Sequence, residues 1–75
     1  MAKLPVVSGS DTVKVFERDG WHIDRQRGSH VIMLKPGSIT SLSIPMHREL
    51  APGTLRALIR AAGLTVDDFI KLLRE

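Results

Sequence analysis

Apolar positions along this chain change period twice, and each change marks a new kind of element. Between Ser8 and Asp19 the spacing is helical, with Val13 and Phe16 turned to one side. The segment opens with Ser8 and Asp11 three residues apart, a pair whose side chains can each accept from a free amide of the first turn. Gly20 supplies the left-handed residue that stops the helix at about Asp19, and Trp21 beyond it can fold back onto Phe16. From Trp21 the period falls to two. Trp21, Ile23 and Arg25 then stand on one side and His22, Asp24 and Gln26 on the other, which predicts a short, half-buried strand. "RGS" turns the chain into a second strand, "HVIMLK", and "PGS" turns it into a third, "ITSLSI".

Helical spacing returns after the polar loop "MHREL". In "APGTLRALIRAAG", Pro52 suits the first turn, Gly63 the stop, and Leu55, Leu58, Ile59 and Ala62 share a face. In "LTVDDFIKLLRE", Thr65 and Asp68 repeat the capping pair, and Val66, Phe69, Ile70 and Leu73 follow at helical spacing. Helix, three adjacent strands, helix, helix predicts an α+β two-layer sandwich formed as one domain over residues 1–75, with helices on one face of an antiparallel sheet. The other sheet face is left open for RNA, a substrate or a protein.

Composition narrows the function classes. A hydrophobic fraction of 43% and a charged fraction of 25% belong to a folded globular chain, and 75 residues leave room for one thin core. Without cysteine there is neither a disulfide framework nor a thiolate metal site, so packing or a partner must hold the fold. The longest apolar run, "VIML", falls far short of the roughly 18 residues of a spanning helix, and "MAKLPVVSGSD" lacks a signal-peptide core. The expectation is a cytoplasmic protein without a membrane partner. Net charge +3 favours a polyanionic partner without naming it.

Three histidines are the candidate chemistry. His22, His30 and His47 fall in separate elements with no metal-ligand spacing, so no metal site is expected, and His22 is read as a solvent-facing strand residue without a chemical role. His30 has different neighbours. Gly28 allows close backbone approach to a ligand, Ser29 can donate to a phosphate oxygen, and Arg25 and Arg27 can clamp one. An imidazole exchanges protons near neutral pH and so suits acid/base cleavage of RNA; the alternative is a strand-edge histidine bonded to its turn. His47 precedes a helix on which Arg56 and Arg60 share a face, and with Thr54 near the helix start they offer a second phosphate contact. A merely solubilising basic face would look the same.

A wider pattern runs through the chain: Gly20 and Trp21 after the first helix, Arg25, Gln26 and "GSH" at the second strand, Pro45 and His47, then "GTL" and "AGLT". In this pattern the chain resembles the HicA, or YcfA-like, family of small prokaryotic toxins. The resemblance implies a double-stranded-RNA-binding-domain-like fold and endoribonuclease activity on messenger RNA carried by His30, without a cofactor. It further implies a HicB-type antitoxin partner that covers the active surface, with DNA contacted only through that antitoxin. A departure is the second strand, which lacks the aromatic residue the family often carries there. The competing class is a non-catalytic RNA- or protein-binding module. A DNA-binding accessory protein ranks last, since no helix-turn-helix with a basic recognition helix is evident.

Overall fold

A computed structural model describes residues 3–75; Met1 and Ala2, the start of the expected domain and amino terminus, lie outside the described residues. The elements are α1 (Gly9–Arg18), β1 (His22–Arg27), β2 (His30–Leu34), β3 (Leu42–Pro45), α2 (Pro52–Ala61) and α3 (Val66–Leu73). Both capping boxes form. The Asp11 amide donates to Ser8 Oγ at 3.0 Å and the Ser8 amide to Asp11 Oδ2 at 3.3 Å. At α3 the Asp68 amide donates to Thr65 Oγ1 at 3.1 Å and the Thr65 amide to Asp68 Oδ2 at 2.9 Å. α1 stops as its sequence predicts, with Gly20 at φ 100° and the Trp21 amide donating back to the Phe16 carbonyl at 3.0 Å.

The sheet is antiparallel in the order β1-β2-β3. Val31 and Met33 of β2 and Leu42 and Ile44 of β3 are buried with Val15 and Phe16 of α1, Leu55 and Ile59 of α2 and Phe69 of α3. The Phe16 and Phe69 rings meet edge to face with centroids 5.7 Å apart, joining the first helix to the last. This is the expected α+β sandwich, with a short helix after α2.

Two local expectations are corrected. The third strand begins at Leu42 rather than Ile39, and Ile39 is fully exposed. Ser38 explains the delay: its hydroxyl donates to the Thr40 carbonyl at 3.3 Å and accepts from the Thr40 amide at 3.2 Å, meeting locally the groups a ladder would have used. The first strand is exposed along its whole length, not half-buried. It is an edge strand, and the helices contact the sheet mainly over β3, so even Ile23 stays 49% exposed.

Candidate functional site

The β1–β2 hairpin builds the site. Its two-residue turn places Gly28 first, at φ 58°, and Ser29 second without positive φ, which matches the glycine-first turn whose twist suits a hairpin. Arg27 and His30 therefore face each other across the first rung. The Ser29 carbonyl accepts from the Met46 amide at 2.7 Å, which ties the turn to the exit of β3.

One residue decides what this hairpin presents. The pairing passes from Ile23 opposite Met33 to Arg25 opposite Ile32, so Asp24 is an extra residue, a bulge. Side chains of directly paired residues share a face. Met33 and Val31 are buried under the helices, so their partners Ile23 and Gln26 belong to the covered face. Arg25 and Arg27 are thereby placed with His30 and Ile32 on the open one. The simple alternation expected of β1, with Arg25 on the side of Trp21 and Ile23, is overturned by the bulge. No sequence signal marks Asp24 for this role.

The open face is a small lattice. Arg27, His30 and Pro45 form one row, Arg25, Ile32 and Ser43 the next, and His22 with Leu34 the third. His30 is half-buried, and its Nδ1 lies 3.4 Å from Ser29 Oγ, at the limit of a hydrogen bond. Arg25 pairs with the Asp24 carboxylate, whereas Arg27 and His30 make no salt bridge among the described residues. His47 is exposed two residues beyond Pro45, the partner of His30, and its carbonyl accepts from the Gly9 amide at 2.9 Å.

Arg25, Arg27, Gly28, Ser29 and His30 are thus brought together, with His47 at the same end of the sheet. Arg56 is not among them. It lies in the helical layer, lining with Arg60, Ile59, Leu64, Thr65 and Val66 a groove between α2 and α3. Asp68, whose carboxyl is held below its ordinary value of 3.8 chiefly by the Thr65 amide and then by the Thr65 hydroxyl, belongs to the cap of α3. Among the described residues no three histidine or carboxylate groups converge to hold a metal ion, and no helix is long and apolar enough to cross a membrane.

Fold and face together define a small α+β protein whose uncovered sheet surface carries a cationic hairpin and one central histidine. The family model for the HicA toxin of bacterial toxin–antitoxin systems matches residues 9–64, most of the chain. The chain belongs to the HicA toxin family, and its role is that of the toxin in such a system. No curated protein matches it.

Proposed function

We propose that the chain is an endoribonuclease that cuts messenger RNA at the open sheet face, with His30 as its acid/base group. The observation that supports this reading is the bulge-dependent convergence of Arg25, Arg27 and His30 on one uncovered surface in a HicA-family toxin.

The scissile phosphate sits over the Arg27–His30 rung. Arg25 and Arg27 donate to its non-bridging oxygens, the Ser29 hydroxyl adds a second bond to one of these, and Gly28 leaves room for the backbone of the RNA to approach. His30 takes the proton of the ribose 2′-hydroxyl as that oxygen attacks phosphorus. The bond from phosphorus to the 5′-oxygen breaks, and the leaving oxygen takes a proton from His47 or water. The products are a 2′,3′-cyclic phosphate and a 5′-hydroxyl. Arg56 serves a second phosphate, away from the cut, in the groove it shares with Arg60. Acid/base help of this kind is worth about 10²- to 10⁴-fold in rate, so loss of His30 removes most of the activity. A HicB-type antitoxin silences the toxin by covering the same face.

Incubation of end-labelled RNA in excess EDTA tests the proposal, comparing wild type with a His30→Ala variant of matching circular dichroism. Cleavage by the wild type alone is expected. Equal cleavage by both refutes the role of His30, and cleavage by neither leaves the surface as a binding module.

A further inference from the structure

Beyond the rung that holds His30, the same open face continues past Arg25 to Ile32, Leu34 and His22, which the proposed chemistry does not use. Ile32 and Leu34 are only half-buried, and the helices bury the opposite side of the sheet, that of Val31, Met33, Leu42 and Ile44. Arg25 and Ser43 flank Ile32, and His22, an exposed residue, stands opposite Leu34. The face is an apolar floor with a guanidinium and a hydroxyl beside its first half and an imidazole ring beside its second. The neighbouring carboxylate of Asp24 is engaged by Arg25.

We infer that His22 and Leu34, with Ile32, form a base-stacking subsite that holds a nucleotide next to the one being cut, so that the toxin engages single-stranded RNA along β1 and β2. The inference rests on the ribonuclease reading above. Distance separates the two places. His30 and Leu34 are four residues apart on one strand, about 13 Å at the usual rise per residue, too far for one phosphodiester to touch both.

Chemistry selects the occupant. A base offers a flat face to the floor of Ile32 and Leu34, an edge to Ser43, and a π surface to the imidazole of His22 or the guanidinium of Arg25. The backbone that carries it stays beside Arg25 and Arg27. A duplex would keep its bases stacked internally and present none to this floor, which restricts the subsite to unpaired RNA. His22 owes its place to the Asp24 bulge, which leaves it on the open face together with the arginines.

The test measures binding without cleavage. Fluorescence anisotropy of a labelled single-stranded RNA is read with His30→Ala protein, and again with His22→Ala and His22→Phe added to it; the exposure of His22 makes either change harmless to the fold. Stacking of one base predicts about tenfold weaker binding for His22→Ala and parent-like binding for His22→Phe. A backbone of the same length without bases should bind weakly and show no difference among the three. Equal affinity of the His22→Ala protein and its parent overturns the subsite, as does a His22→Phe protein as weak as His22→Ala, and either leaves the cleavage mechanism standing. Absence of RNA binding by the parent, with no cleavage by wild type in EDTA, instead removes the ribonuclease reading and the subsite with it.

Discussion

Gly9 is the first residue of α1, and the helix starts hard against the end of β3. A Cβ placed there would lie 2.2 Å from the Pro45 carbonyl oxygen and 2.8 Å from Met46 Cα. Both are backbone atoms, so no side-chain rotation can relieve the contact. For Gly9→Ala the two segments must part by about 1 Å to restore van der Waals distance. Overpacking of this kind costs about 1–3 kcal/mol. The move also stretches the bond from the Gly9 amide to the His47 carbonyl, now 2.9 Å, worth about 1 kcal/mol more. Helix propensity offsets up to about 1 kcal/mol. The net loss is about 2 kcal/mol, which in a domain of this size lowers Tm by roughly 10–15 °C. Thermal melts followed by circular dichroism provide the assay, with Gly53→Ala as control, since nothing lies within 4 Å of a Cβ at that site in the first turn of α2. Melting of Gly9→Ala at or above the wild-type temperature would refute the seating of α1 on the exit of β3.

Other residues give further tests. Deleting Asp24 removes the bulge, so that either Trp21 leaves the core or Arg25 and Arg27 turn beneath the helices. Since Trp21 is 3% exposed, we expect a loss of about 3 kcal/mol or more and a red shift in emission from this single tryptophan; an unchanged spectrum and Tm would contradict the register. Asp68 has a lowered pKa in the fold, so its ionised form stabilises α3 above the ordinary carboxylate value, and that contribution fades as pH falls through the lowered one. The Tm advantage of wild type over Asp68→Ala should be present at pH 7 and shrink below pH 3.8; an advantage that grows on acidification would reverse the assignment. Gly28→Ala forces a side chain into the left-handed turn at φ 58°, with a cost of about 1–2 kcal/mol and weaker RNA cleavage, read by melting and by the end-labelled assay.

What could be read from the sequence was what local chemistry decides. The pairs Ser8 with Asp11 and Thr65 with Asp68 lie within one helical turn, and the stop at Gly20 involves only residues back to Phe16, so no distant partner was needed to foresee them. Position in the sheet is another matter. The burial of β1 depended on which neighbours covered it, and its alternation on Asp24 slipping out of register against β2, a property of two strands at once. Ile39 is of a type that favours strands, while the competing turn at Ser38 depends on bonds the side chain makes to Thr40. Among the candidate site residues, those close in sequence to His30 gathered with it. Arg56, judged by charge and helical spacing alone, was placed by packing in a groove of the other layer.

The meeting of Phe16 with Phe69 has a practical meaning for where this protein can be cut. The family match ends at Leu64 and begins at Gly9, yet Phe69 is wholly buried beyond one limit and Val7, 4% exposed, lies before the other. Val7 also accepts from the Leu50 amide at 2.9 Å, pinning the loop that follows His47. A fragment trimmed to the matched residues would keep every group of the cationic hairpin and lose both ends of the clasp around its core. Chemistry and foldability therefore have different boundaries in this chain, and a minimal active fragment must be drawn by the second.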